Sequence, residues 1–169
     1  MKFSINANEL QNALGAVSKG ADSNPAQPIL AGIYLKAEKD TLTLETTNLD
    51  LSIRCTLPAL IEEEGIAVIP SRLLVDVVKS LPDSAVHIEV GEGSDRAHIL
   101  CETSTFALKL LNADDFPSFP EVTQTNSIRI PFDVFRKMVK RVAKVTSRDE
   151  SRAILTGILI EVANEKIRM

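Results

Sequence analysis

The chain has 169 residues, 44% of them hydrophobic and 25% charged, which is typical of a folded globular protein with an apolar core. These values exclude a disordered, collagen-like or coiled-coil chain, and no apolar run approaches the roughly 18 residues that span a membrane. Cys55 and Cys101 lie in apolar stretches, so we predict reduced core residues of a cytosolic protein, with a disulfide between them as the alternative.

Charge is distributed unevenly along the chain, although the net charge is only −4. Residues 1–125 carry nine Lys and Arg against eighteen Asp and Glu, whereas residues 126–169 carry ten against five. This asymmetry predicts a local anion-binding surface on a chain that is acidic elsewhere.

A pattern of strand, helix and further strands occurs twice within the first 111 residues. The first occurrence predicts a strand at 2–6, a helix from a cap at Asn8 to about Lys19, and strands at 29–37, 41–46 and 49–57. Apolar residues at helical spacing predict the buried face of this helix: Leu10, Ala13, Leu14 and Val17.

The second occurrence begins with a predicted strand at 66–69. It continues with a helix that Pro70 opens and that runs to about Ser80, followed by strands at 85–90, 97–101 and 105–111. The predicted apolar stripe of this helix consists of Leu73, Leu74, Val77 and Leu81. Residues 112–126, rich in Pro, Ser, Thr and Asn, are typical of a linker.

A longer repeat relates the two ends of the chain. A shift of 125 positions aligns residues 3–44 with residues 128–169 without a gap, and seven of these 42 pairs are identical. Random composition gives about two or three identities, so the two segments are predicted to share one structure. Because the second copy stops at Met169 with much of its domain missing, we expect the chain to be part of a longer protein.

The clearest functional signal is a predicted amphipathic helix over residues 132–145. Five basic side chains fall within an arc of about 140° on it, namely Arg136, Lys137, Lys140, Arg141 and Lys144. Apolar residues occupy the opposite side, and Asp133 is the one acidic residue within the arc. Such a face suits the phosphate backbone of duplex DNA, although a merely solvated face has the same pattern.

No pattern typical of catalysis is present. His87 and His98 lie in alternating strand segments without a Cys or carboxylate at metal-ligand spacing, and the Glu62-Glu63-Glu64 run is interpreted as a solvated loop. The sequence also lacks a phosphate-binding loop of the GxxxxGK[ST] type, a CxxC pair and a GxSxG motif. It therefore argues against an enzyme, and we predict neither a metal nor a cofactor.

Several short motifs occur in a specific order and spacing. They are Met1-Lys2-Phe3, Pro28-Ile29-Leu30-Ala31-Gly32-Ile33, Thr47-Asn48-Leu49-Asp50, Ile69-Pro70-Ser71-Arg72, Lys79-Ser80-Leu81-Pro82, Ala113-Asp114-Asp115-Phe116-Pro117 and Arg152 through Gly157. Together they resemble the bacterial sliding clamps, the beta subunits of DNA polymerase III, over the whole chain.

The resemblance implies an α+β DNA-clamp fold, in which strand–helix–strand units occur twice per domain and the helices lie on one face of antiparallel sheets. It implies a complete first domain at 1–121, a linker at 122–127 and a truncated second domain at 128–169, with the third domain absent. The implied function is that of a non-catalytic processivity factor. Two chains would close head to tail into a ring that encircles duplex DNA, independently of its sequence, and tethers the polymerase.

The resemblance also implies three sets of site residues. The implied DNA-facing residues are Lys19, Asn24, Arg72, Lys79, Lys137, Arg141, Lys144 and Arg148; family clamps often have an arginine at the position of Asn24 and a polar amide at that of Asp149. The implied dimer interface contains Leu73, Val77, Phe106 and Leu108. Arg152 and Leu155 match part of the pocket that receives linear peptide motifs.

The implied partners are duplex DNA, a second clamp subunit, the polymerase III alpha subunit and clamp-loader subunits, with no membrane, in the cytoplasm at the nucleoid. Two alternatives stay open from the residues themselves: the basic helix at 132–145 belongs either to a DNA-binding module that reads a groove or to a module that docks an acidic protein.

Overall fold

A computed structural model describes residues 1–22, 25–120, 127–163 and 166–169, apart from the side chain of Glu150. The chain divides into two compact units, Met1–Glu121 and Val122–Met169. The helices are α1 (Ala7–Val17), α2 (Ser71–Ser80) and α3 (Phe132–Val142). The strands are β1 (Lys2–Asn6), β2 (Gly32–Glu38), β3 (Thr41–Thr47), β4 (Ser52–Pro58), β5 (Leu60–Glu63), β6 (Gly65–Pro70), β7 (Ala85–Glu89), β8 (Arg96–Cys101), β9 (Ser104–Lys109), β10 (Glu161–Ala163) and β11 (Lys166–Arg168).

The first unit contains two antiparallel sheets. One has the strand order β5-β1-β7-β8-β9 and the other the order β4-β3-β2-β6. Each predicted repeat keeps its last three strands together, as β2-β3-β4 and β7-β8-β9, but its first strand joins the sheet of the other repeat. This exchange of β1 and β6 joins the two repeats into one domain, because neither sheet is complete without a strand from the other half.

Both helices of the first unit pack against the buried faces of the sheets. α1 and α2 pack on each other, α1 also contacts β3 and β4, and α2 contacts β6 and β9. The fully buried side chains come from both helices and both sheets, and the largest are Phe3, Leu10, Leu14, Ile33, Leu35, Leu42, Leu44, Ile69, Leu74, Ile88 and Ile99. Helices on one face of antiparallel sheets confirm the predicted α+β class.

The second unit reproduces the beginning of the first at the predicted shift of 125 residues. α3 matches α1 residue for residue in its bounds, and the pairing of β10 with β11 repeats the register of β2 with β3: Val162 faces Ile167 as Ala37 faces Leu42. A backbone hydrogen bond from Ser147 to Leu155 of 2.9 Å also repeats the bond from Asp22 to Leu30 of 3.0 Å. The internal repeat is therefore structural.

One segment of the repeat differs in secondary structure between the two units. Residues 127–130, which match the start of β1, are not in a strand. In the first unit β1 is held by β5 on one side and by β7 on the other. Among the described residues 127–163 and 166–169, β10 and β11 pair only with each other, so the backbone at 127–130 has no neighbouring strand to pair with.

Several predicted boundaries are wrong, among them the start of β4, which is Ser52 rather than residue 49. The cap of α1 is Asn6 rather than Asn8, because the Asn6 side-chain oxygen accepts the backbone N–H groups of Asn8 (2.8 Å) and Glu9 (3.3 Å). Pro28–Ala31 forms a 3-10 turn, and β2 begins only at Gly32, since proline has no N–H to donate to a sheet. α3 ends at Val142, and a turn follows it.

The acidic run is a strand in part, which corrects the predicted loop. Glu62 and Glu63 belong to β5, an edge strand that pairs with β1, and Lys2 Nζ lies 2.9 Å from Glu62 Oε2. Four residues rich in charge have no clear strand signal of their own, and charged side chains are common on edge strands. Only the partner strand reveals the pairing.

Candidate nucleic-acid interface

The two sides of α3 differ as the sequence predicts. Met138, Val139 and Val142 are half-buried, whereas the side chains of the basic arc are exposed. Basic residues in the last turn also interact favourably with the negative end of the helix dipole. α3 therefore presents a continuous positive strip on the side away from its own unit's apolar contacts.

This strip is not neutralised within its unit. In the part of the chain that the structure describes, no ion pair engages the four basic residues of α3, Arg136, Lys137, Lys140 and Arg141, or Lys144 after it. Asp133 shares the arc and lies in the first turn, where a carboxylate suits the positive end of the helix. Unpaired, hydrated cations release counterions when they meet phosphates, so the strip has the chemistry of a sequence-independent DNA contact.

A short loop continues the positive surface beyond the helix. Lys144 lies in the turn after α3, so the helical arc does not extend to it, and Arg148 and Arg152 follow in the loop, all three exposed. The bond from the Ser147 N–H to the Leu155 carbonyl closes this loop.

Asp149 organises the same loop. Its Oδ1 accepts the backbone N–H of Ser151 at 3.0 Å, and hydrogen bonds from Ser151 lower the pKa of the Asp149 carboxyl below its ordinary value. The carboxylate therefore stays ionised and places one negative charge between Arg148 and Arg152.

The first unit carries a weaker positive surface. Lys19 lies in the 3-10 turn Ser18–Gly20 that follows α1, and Arg72 and Lys79 are exposed on α2. A groove of about 370 Å³ separates the two elements, with Ser18 and Asp22 on one side and Arg72 and Asp76 on the other. Acidic groups accompany these cations, so the local field is less positive than on α3. Asn24 lies outside the described residues.

The predicted dimer residues lie on α2 and on β9. β9 is an edge strand of the five-stranded sheet, and α2 contacts it. Leu108 is only 9% exposed, and it packs in the core together with the half-buried Phe106. Leu73 is 49% exposed, so the predicted apolar stripe of α2 is wrong at this position. Leu74 is buried as predicted, and Val78, which the predicted stripe omits, is buried as well. Leu73, rather than Leu108, is thus available to a partner.

Arg152 and Leu155 both lie in the 3-10 turn Glu150–Leu155 of the second unit. Leu155 belongs to a group of large apolar side chains that are exposed in this unit, which includes Ile154, Leu159, Ile160 and Val162. Exposed large apolar side chains such as these can bind hydrophobic side chains of a peptide.

The described residues hold no group of three or more His, Cys, Asp or Glu that could bind a metal ion. His87 Nδ1 lies 2.7 Å from Ser4 Oγ on the outer face of its sheet. Cys55 is half-buried and Cys101 buried, and both are free thiols, so the alternative of a disulfide is wrong. Among the helices that the structure describes, none combines the length and apolar character needed to cross a bilayer.

Known proteins are similar to this chain over its whole length. The chain is 35% identical over 169 residues to a beta sliding clamp homolog, GriR, of Streptomyces muensis, and 31% identical to the beta sliding clamp of Streptomyces coelicolor; each match covers 100% of this chain and 44% of the relative. The chain therefore spans less than half the length of these relatives.

Solved structures of sliding clamps are similar to this chain in fold. The DNA polymerase sliding clamp of Bacillus subtilis matches with a TM-score of 0.90 and 30% identity over 96% of this chain and 44% of its own, and that of Caulobacter crescentus with 0.90 and 28% over 99% and 46%. The family model for the N-terminal domain of the DNA polymerase III beta subunit matches residues 1–120. The chain thus belongs to the family of DNA polymerase III beta subunits, the bacterial sliding clamps.

Proposed function

We propose that this chain forms part of a sliding clamp, a non-catalytic processivity factor that encircles duplex DNA and tethers a replicative polymerase. The observation that carries this proposal is the exposed, unpaired basic strip of α3 on a chain that is acidic elsewhere. The repeat of this helix relative to α1 supports a modular wall in which equivalent helices face the same ligand.

In this proposal, Lys19, Arg72, Lys79, Lys137, Arg141, Lys144 and Arg148 approach phosphates and read no bases. Such contacts are salt-sensitive and equivalent at every position along the duplex, so they hold the DNA without stopping movement along it. The closed ring supplies the tether. It keeps the polymerase near the primer end at a high effective concentration, and it needs no chemistry of its own.

The domain assignment belongs to the same proposal. Residues 1–121 form the first clamp domain, 122–127 the linker and 128–169 the start of the second domain. Leu73 and Val77 of α2, with Phe106 on the edge strand β9, contribute to one half of a head-to-tail interface with a second subunit, and Leu108 supports them from the core.

Arg152 and Leu155 contribute to a pocket for linear peptides of the polymerase alpha subunit and of clamp-loader subunits. A clamp of this kind acts at the nucleoid, in the cytoplasm.

A charge-reversal pair tests the DNA contact. Lys137→Glu with Arg141→Glu should weaken association of the chain with duplex DNA at low salt and reduce the slope of log affinity against log salt by about one for each lost phosphate contact. Lys166→Glu with Arg168→Glu, on the strand β11, makes the same change in net charge and should have little effect. Affinity is measured by fluorescence anisotropy. An equal loss of DNA affinity in both pairs would mean that the chain is attracted to DNA only through its net charge.

A second experiment tests the ring. A hybrid clamp is made by replacing the matching residues of the Bacillus subtilis clamp with this chain, and it is loaded on a nicked circular plasmid beside the unaltered clamp. The hybrid should remain on the circle through gel filtration and be lost when the plasmid is linearised. Equal retention on both forms would instead support the alternative, a DNA-binding module that uses the basic helix.

A further inference from the structure

A cavity lies on the outer face of the four-stranded sheet, opposite the core. It has a volume of about 550 Å³ and is bounded by side chains of β2, β3 and β4 below and by the segment Ala113–Phe119 above. This volume lies in the range of small-ligand sites, about 300–1,000 Å³. None of the site residues proposed for DNA, the second subunit or linear peptides lines it.

Aromatic contacts hold the upper wall of this cavity in place. The rings of Tyr34 and Phe116 lie with their centroids 5.1 Å apart at an interplanar angle of 31°. The guanidinium carbon of Arg54 lies 3.9 Å from the centroid of the Phe119 ring. Each contact joins the sheet to the segment above it, so the cavity has two firm sides.

Arg54 is oriented from two directions at once. Its Nε donates to Glu45 Oε1 at 2.6 Å, and Glu45 is only 8% exposed. The face of its guanidinium rests on Phe119. Within the residues that the structure describes, its two Nη groups have no hydrogen-bond partner. A guanidinium held at Nε and at one face presents its Nη edge as a preformed fork for a planar anion.

The other polar groups of the cavity limit the charge of its ligand. Lys36 Nζ pairs with Glu38 Oε2 at 2.6 Å, and Arg54 pairs with Glu45, so the four formal charges sum to zero. Burial raises the pKa of Tyr34 above its ordinary value, which keeps the phenol protonated as a donor. The two carboxylates repel a phosphate dianion more strongly than a monoanion, so an anion of single charge on the Nη groups of Arg54 is favoured over phosphate.

We propose that this cavity binds a carboxylate carried on a flat apolar body, with the carboxylate on the Nη edge of Arg54 and the apolar part against Phe116 and Phe119. Two sources have this chemistry: a small aromatic acid, and an acidic residue beside an aromatic one in a peptide. The site is separate from the proposed clamp function and does not depend on it.

Titration of the isotope-labelled chain with 3-phenylpropionate, followed by amide chemical shifts, tests the site. The shifts should concentrate at residues around the cavity, and the neutral 3-phenylpropionamide should bind about tenfold more weakly or worse, because it cannot accept two charge-assisted hydrogen bonds. Equal binding of acid and amide, equal binding of inorganic phosphate, or shifts centred elsewhere would overturn the proposal.

Substitutions at Arg54 and at a control position test the role of the guanidinium. Arg54→Lys keeps the charge and removes the fork, so affinity for the acid should fall about tenfold. Arg96→Lys, the same change on β8, serves as the matched control and should leave the affinity unchanged. If Arg54→Lys unfolds the chain, the acid-against-amide comparison on the unaltered chain decides alone. Wild-type affinity in a folded Arg54→Lys variant would refute the assigned role.

Two capped peptides distinguish the sources. Acetyl-Asp-Phe-amide should bind more tightly than acetyl-Asn-Phe-amide, and tighter binding of the Asp peptide than of 3-phenylpropionate would identify a protein partner. Tighter binding of 3-phenylpropionate would identify a small aromatic acid. No discrimination between the Asp and Asn peptides, together with none between acid and amide, would show that the carboxylate is not recognised.

Discussion

Cys55 and Cys101 are both free thiols, but their surroundings differ. Burial, with a smaller contribution from the charge of Glu102, raises the pKa of the Cys101 thiol, and Cys55 is half-buried. A raised pKa leaves less of the reactive thiolate at any given pH, and burial also blocks access. We therefore expect Ellman's reagent to label the native chain in a fast phase at Cys55 and a slow phase at Cys101.

The Cys55→Ser variant provides the control for thiol labelling. It should lose the fast phase and keep the slow one, and urea should make both thiols of the unaltered chain react at similar rates. Fast labelling of the native Cys55→Ser variant would contradict the buried position of Cys101.

Asp149 places a negative charge in the mainly basic loop of the proposed DNA surface. Asp149→Asn should keep the bond to the Ser151 N–H, since an amide oxygen also accepts, and should remove one of the two acidic charges that lie between Arg148 and Arg152 in the sequence. Association with duplex DNA at low salt should strengthen by roughly two- to fivefold, the scale of one exposed charge interaction. Fluorescence anisotropy measures this.

The matched control for that change is Asp95→Asn. Asp95 is an exposed residue beside Arg96 in the first unit, and its replacement alters the net charge equally. It should not change DNA affinity; an equal gain in both variants would mean that only net charge matters and that the loop does not approach DNA.

At the scale of an element, the two glycines in and after α1 have opposite roles. A Cβ at Gly15 would meet no atom within 4 Å, whereas a Cβ at Gly20 would lie 2.5 Å from Thr46 Oγ1. That hydroxyl donates to the carbonyl of Val17 at 2.6 Å and joins β3 to the end of the helix. The close approach of β3 therefore explains glycine at 20 but not at 15.

Substitution by alanine should separate these roles. Gly15→Ala should raise the free energy of unfolding by ~0.5–1 kcal/mol through helix propensity, and Gly20→Ala should lower it by about 1–3 kcal/mol through the forced shift of Thr46. Urea unfolding followed by circular dichroism measures both. A Gly20→Ala variant as stable as the unaltered chain would show that the end of α1 moves freely away from β3.

At the scale of the whole molecule, the position of each leucine around β9 determines how the dimer is tested. Leu108 lies in the core, so Leu108→Ala should cost about 2–5 kcal/mol of stability whether or not a second subunit binds. Leu73 is half-exposed, so Leu73→Glu should leave the unfolding midpoint of the chain nearly unchanged.

The hybrid clamp provides the readout for Leu73. Its mass by light scattering should fall from that of a dimer towards that of a monomer when Leu73→Glu is introduced, because a buried carboxylate without a partner is costly at an interface. Glu102→Gln, in the turn between β8 and β9, serves as a surface control. An unchanged dimer mass would place the interface elsewhere.

The sequence by itself determined the local elements and the repeat. Alternation in β7 and β8, helical spacing in α1 and α3 and the 125-residue shift all follow from which side of an element is apolar, and this information lies within a few neighbouring residues. The basic strip of α3 could be predicted for the same reason. The end of α3 at Val142, rather than at Val145, could not, because helix ends depend on individual caps and turns.

Only the tertiary structure decided the features that join distant residues. The exchange of β1 and β6, the pairing of β5 with β1, the burial of Leu108 and the fixed guanidinium of Arg54 each depend on partners far away along the chain. Such contacts have no local pattern, because the periodicity of a segment shows that one side will be covered but not which residues cover it.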